Sequence, residues 1–175
     1  MIEQVIREMR HSPSHNYVIP GLTSWLIGTP NKEHGCVRLF TMDRNHVEPI
    51  IPHSHRFDFV CRVLRGHVIN RIWKEDNIPQ NDPYMISDVT YEGVLGKHQK
   101  TEMRVARFGY SDSKYYEGEE YGMKAKDIHS IYFSKGAEVL FFEGPPVKQT
   151  SIVLEPMSQG EVVPLFTTEP WMFKK

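Results

Sequence analysis

Short strand-like runs, each closed by a turn signal, recur along nearly the whole chain, and this punctuation constrains the fold more than any single residue. LTSWLIG (22–28) leads through the turn TPNKEHG to CVRLFTM (36–42). VEPIIPHSH, FDFVCRVLRG and HVINRIW come next, with Gly66 marking a tight reversal between the last two. After a polar loop with two prolines (74–83), YMISDVTYEGVL and KTEMRVARFGY read as a hairpin around Gly96. SIYFS and AEVLFFEG read as another, joined by Lys135-Gly136, and TSIVLE (150–155) reads as a last strand. Runs spaced roughly 8–12 residues apart predict an all-β antiparallel sandwich or barrel.

The N-terminus follows a different period. Ile2, Val5, Ile6 and Met9 recur at helical spacing, which predicts a short amphipathic helix packed outside the strands. Ser12-Pro13 and Pro20-Gly21 then break the chain. The expected organisation is one domain over 1–175, with a helix and arm (1–20), a barrel (22–155) and an irregular tail (156–175).

Composition excludes several classes. Lys and Arg total 21 against 22 Asp and Glu, a formal charge of −1, which gives no support to a nucleic-acid partner. Apolar residues make up 39%, enough for a packed core and too many for a disordered chain. The only cysteines, Cys36 and Cys61, sit in apolar, strand-like surroundings and read as small buried residues rather than a disulfide. No run resembles a signal peptide or approaches the ~18 apolar residues of a membrane span, so a soluble, cytoplasmic protein is expected.

The chemistry concentrates in IIPHSHRFDFVCRVLRG, residues 50–66. His53 and His55 are two apart, so on an extended strand their imidazoles share a side with Phe57, Phe59, Cys61 and Val63. Ser54, Arg56, Asp58 and Arg62 fall on the other side. Two imidazoles on an apolar face are costly unless something binds their nitrogens, and a metal ion would do so.

An HxH near a strand start, an apolar strand and a glycine turn together resemble the first motif of the cupin superfamily. YGMKAKDIHSI (121–131) resembles its second motif, with Gly122 in the turn and His129 at the strand. The resemblance implies a cupin-type antiparallel β-barrel (a double-stranded β-helix, or jelly roll) that holds one divalent transition metal through His53, His55 and His129. The glutamate many cupins add falls here on Phe59 or Val60, and Asp58 is turned away by parity. Three histidines without that glutamate resemble the thiol dioxygenase branch, typified by cysteine dioxygenase. VCRVLRG and IHSIYFSKGAEVLFFEGPP are similar to segments of that family.

That branch implies Fe(II), with zinc, nickel or manganese left open, and an oxygenase taking O₂ and a small molecule. The departures bear on the substrate. Phe141 and Glu143 stand where the branch has its histidine and tyrosine relay, and Cys61 falls one residue late without its tyrosine partner. No arginine stands upstream for a substrate carboxylate; Trp25 to Gly28 occupy that region. The substrate implied is therefore not free cysteine, and Glu143 and Cys61 become the candidate catalytic groups. Phe57, Phe59, Phe141 and Trp73 are expected to keep the metal's surroundings dry. Arg38, Arg62, Arg71, Arg104 and Arg107 read as solvated strand residues, and Tyr115-Tyr116 with Glu117–Glu120 as a solvated loop. A non-catalytic cupin binding a small ligand or a protein, and a metal-dependent isomerase or lyase with Glu143 as base, stay open, as does homodimerisation.

Overall fold

Alternation along the strands becomes two facing sheets. In a computed structural model that describes residues 10–14, 19–31, 35–46, 50–92 and 97–157, eleven strands form and no helix is among the described residues. The first sheet comprises β1 (Arg10–Ser14), β2 (Leu22–Asn31), β3 (Gly35–Met42), β10 (Glu138–Pro146), β4 (Phe57–Arg65) and β8 (Glu120–Met123), in the order β1-β2-β3-β10-β4-β8. The second comprises β5 (His67–Asp76), β6 (Pro83–Glu92), β7 (Lys97–Tyr116), β9 (Ile128–Phe133) and β11 (Thr150–Pro156), in the order β11-β6-β7-β5-β9. All the pairings are antiparallel, and the result is an all-β barrel of two facing sheets.

Residues with period-two alternation supply the inner faces. On β4, Phe59, Cys61 and Val63 are buried while Val60 and Arg62 face out. Val63, Val68 and Val139 are fully enclosed between the sheets, and each such burial stabilises the fold by roughly 1.5–3 kcal/mol. A second, smaller cluster of Tyr84, Ile86, Phe108 and Leu154 packs with Trp73 and Ile128 on the opposite face of the five-stranded sheet.

Several sequence expectations change here. Gly66 (φ 74°) and Lys135-Gly136 do not close hairpins: β4 and β9 each hand the chain to the other sheet. An added Cβ at Gly66 would also lie 2.7 Å from the Ser134 hydroxyl, so the crossing is tight as well as left-handed. Gly122 lies in β8 opposite Val60, and the turn before His129 is Lys124–Asp127, closed by the Asp127 amide donating to the Lys124 carbonyl (2.9 Å). Tyr115 and Tyr116 end β7 rather than belonging to a loop. Ser12-Pro13 lies within edge strand β1, where a proline removes no interior ladder bond, and the pairing shifts register between Arg10 and Pro13. The helix expected over 1–10 and the tail beyond 157 otherwise lie outside the described residues.

One closure matters for the site. Segment 52–54 runs between β9 and β11 and bonds to both: Ser54 donates to Ile152 (2.8 Å), and Leu154 donates to Pro52 (2.9 Å). His53 exchanges both backbone hydrogen bonds with His129, each 2.9 Å long. The two edges of the five-stranded sheet are thereby stitched together through a histidine.

Candidate metal centre

Backbone pairing fixes the three histidines before any ion is considered. His53 and His129 are held by their reciprocal amide bonds, and the His55 amide donates to Ala125 (3.3 Å). Their rings meet with centroids 4.9–5.1 Å apart, and one ligand nitrogen from each lies within 4.8 Å of the others. His53 Nδ1 is 3.0 Å from the Ile51 carbonyl, which can only accept, so Nδ1 carries the proton and Nε2 keeps its lone pair. His129 Nδ1 lies 2.7 Å from Asn70 Oδ1 and is oriented in the same way. Hydrogen bonds of this kind are how metal-binding histidines are aimed.

The donor set fits a transition metal. His55 Nε2 and His129 Nε2 are 3.0 Å apart. Two nitrogens each ~2.1 Å from one ion lie ~3.0 Å apart at a right angle and ~3.4 Å apart at a tetrahedral angle. The His55–His129 spacing is that of two adjacent positions around an octahedral ion. Among the described residues, no carboxylate belongs to the cluster. Burial keeps all three imidazoles neutral: it lowers His53 to a pKa of about 4, and lowers His129 and His55 well below the ordinary range. The neighbouring histidines push His55 and His129 further in the same direction. Neutral imidazole is the metal-binding form.

The cluster opens on a cavity of about 50 Å³ whose wall is almost wholly apolar, including Phe40, Phe59, Phe133 and Phe141. Phe59, Phe57 and Phe141 ring His55, with centroids 4.7, 5.3 and 6.3 Å away. Trp73, expected among them, points to the other face of β5, where its indole N–H donates to Ser130 (3.0 Å) and its ring meets Tyr84 and Tyr110. Asp58 is turned away as its parity requires, accepting from Lys124 Nζ (2.9 Å) and the Ala125 amide (2.8 Å).

Cys61 lines the cavity, and burial raises its thiol to a pKa of about 12, so it stays protonated. Glu143 shares the parity of Phe141 but does not line the cavity. It accepts from the Cys36 thiol (3.2 Å) and lies 3.9 Å from Arg38. Burial first, then that carboxylate, raises Cys36 to about 12 as well. Both cysteines are free. None of the five candidate arginines lines the cavity: Arg62, Arg71 and Arg104 pair with Glu120, Asp112 and Glu75, and Arg107 donates to the Asn81 carbonyl.

Two residues of the site escaped the sequence reading. Asn70 orients His129, and Tyr121 lines the cavity opposite Cys61. Asn70 carried a signal: in VINRIW it shares parity with Val68 and Ile72, a polar residue on an apolar face.

No protein-family profile matches the chain, and neither does any curated protein. Among solved structures it is similar to KdgF from a Halomonas species (TM-score 0.40, 11% identity, 82% of this chain and 86% of that one). It is also similar to an RmlC-like cupin from Shewanella frigidimarina (TM-score 0.42, 13% identity, 80% and 96%) and to the CENP-C cupin domain of Drosophila melanogaster (TM-score 0.43, 10% identity, 82% and 92%). These likenesses are distant, and they carry no inference about what this chain binds or does.

Proposed function

We propose that the protein is a mononuclear metalloenzyme, an Fe(II) oxygenase acting on a small molecule other than free cysteine. The observation that supports this most is the cluster itself: three neutral imidazoles, two of them aimed by hydrogen bonds, with no carboxylate beside them among the described residues. Iron(II) bound there would supply a centre at which dioxygen and a substrate meet. The chain's own part is to hold the nitrogens in place, through Asn70 and the Ile51 carbonyl, and to exclude water with Phe59 and Phe141. Cys61 serves as a neutral, uncharged wall group beside the reacting centre. A carboxylate-bearing substrate such as cysteine would meet no arginine among the described residues of the cavity, and such recognition normally uses a guanidinium fork. The isomerase or lyase alternative draws no support from Glu143, which is engaged with Cys36 away from the cavity.

The test is metal content of untagged protein by elemental analysis, followed by oxygen uptake by the iron-loaded protein. The expected result is one equivalent of metal, uptake with a neutral small thiol, and little with cysteine. Efficient turnover of cysteine would restore the plain cysteine dioxygenase reading. A tightly held molecule that is never converted would favour a binding protein.

A further inference from the structure

One polar group in the cavity has no part in holding the metal. The Tyr121 side chain is buried, 6% exposed, and its hydroxyl has no oxygen or nitrogen hydrogen-bond partner among the described residues, with only the Cys61 thiol beside it. Strand pairing explains how it comes to be there. Tyr121 sits directly opposite Cys61 in the β8–β4 ladder and so points inward, while Gly122 and Val60 form the adjacent outward pair. Tyr115 stacks on its ring at 4.6 Å, with the planes 26° apart, which fixes the direction of the phenol. The Cys61 thiol is the polar group across the ladder, and sulfur is too weak an acceptor to satisfy a phenol.

Buried hydroxyls nearly always find a partner, because losing water without replacing its hydrogen bond costs free energy. A hydroxyl orphaned in a cavity shared with a metal-binding cluster is best explained by a partner that arrives from outside. The rest of the wall restricts that partner. Among the described residues it carries no charged side chain, so an ionic group would be desolvated there without compensation. The space of about 50 Å³ holds only a few heavy atoms, since one water needs roughly 10–15 Å³ on the same measure.

We infer that Tyr121 is the hydrogen-bond donor that recognises the ligand of this cavity, a small neutral molecule with an oxygen or nitrogen acceptor. The inference rests on the proposed metal site, because the same ligand meets the ion at its other end. Burial raises the phenol well above its ordinary pKa, so it donates throughout the physiological range.

Tyr121→Phe removes the hydroxyl and keeps the ring. With iron(II) loaded anaerobically, nitric oxide serves as a neutral probe with an acceptor atom. Dissociation from the variant is expected to be about three- to tenfold faster than from the parent, with a shift in the N–O stretch, the change one net hydrogen bond supplies. Equal dissociation rates and an unshifted stretch in two fully loaded proteins would overturn the inference. Thermal unfolding without metal gives an independent reading. Loss of an orphan hydroxyl leaves Tm unchanged or raised, whereas a structural hydrogen bond would make Tm fall, and a fall overturns the proposal. If the parent takes up no metal at all, the metal reading fails first, and the metal-free Tm comparison still decides whether the hydroxyl is waiting for a ligand.

Discussion

The two faces of the five-stranded sheet use adjacent residues of the same strands for opposite ends. On the inner face Asn70 and His129 are buried and joined by a 2.7 Å hydrogen bond, and His129 lines the cavity. One residue along, on the outer face, Arg71 forms a two-pronged pair with Asp112 (2.7 and 2.8 Å) and lies 3.8 Å over the Tyr110 ring. Ser130 there simply anchors Trp73. On the outer face the partly exposed Arg71 and Asp112 keep their charges and pair with each other. On the inner face burial holds His129 neutral, the form in which an imidazole can bind a metal.

Substitutions should break this contrast unequally. The largest effect belongs to His129→Ala, which should abolish stoichiometric metal binding and leave the strand signature of the circular dichroism spectrum in place. A full equivalent of metal on the folded variant would show the cluster to be wrongly assigned.

Acid comes next. His53 is lowered to about 4 when folded, against about 6.5 in an unfolded chain, so the unfolded state binds more protons between these values. The metal-free protein should be at full stability above pH 6.5 and lose it as pH falls toward 4. His53 alone would account for about 3 kcal/mol at the bottom of that window, and His55 and His129 act in the same direction. Denaturant midpoints measured across this range would check the sign. A flat profile would mean the imidazoles are not held neutral.

Asn70→Leu should keep the barrel and weaken metal binding by about 10–100-fold, the usual cost of removing a group that orients a ligand histidine. Competition with a chelator would measure it. The smallest effect is Arg71→Leu on the outer face: below about 1 kcal/mol of stability, as for other exposed pairs, with unchanged metal affinity. A large loss of metal from this variant would mean that the two faces communicate.

Much of the inner face was legible from residue order. Parity alone put His53, His55, Phe59 and Cys61 together, and the structure brings them to one cavity. His129 came into view only through a second motif 74 residues from His55, because no local rule pairs segments so far apart. What stayed hidden was mostly a matter of which sheet, or which face, a run would join. Gly66 and Gly136 announce turns, and a turn residue does not say whether the next strand pairs back or crosses over. Trp73 was assigned to the metal's surroundings because both parities of HVINRIW contain apolar residues, leaving the face undetermined. Glu143 has the inward parity, but Cys36 and Arg38 beside it give its carboxylate other partners. Tyr121 was hidden in a stretch of charged and small residues, GEEYGMK, where a single aromatic gives no period.

The stitching of β9 to β11 through His53 also orders events in time. Loop closure between distant segments comes at an entropic cost before it is rewarded, so contacts between remote parts of a chain tend to form late. Residues 52–54 must wait both for β9, some seventy-five residues on, and for β11, which begins at Thr150. During synthesis the HxH pair leaves the ribosome long before either neighbour exists. The nitrogens cannot reach their final spacing until the chain has been made through β11, so any metal held there would enter a finished barrel rather than act as a nucleus for its folding.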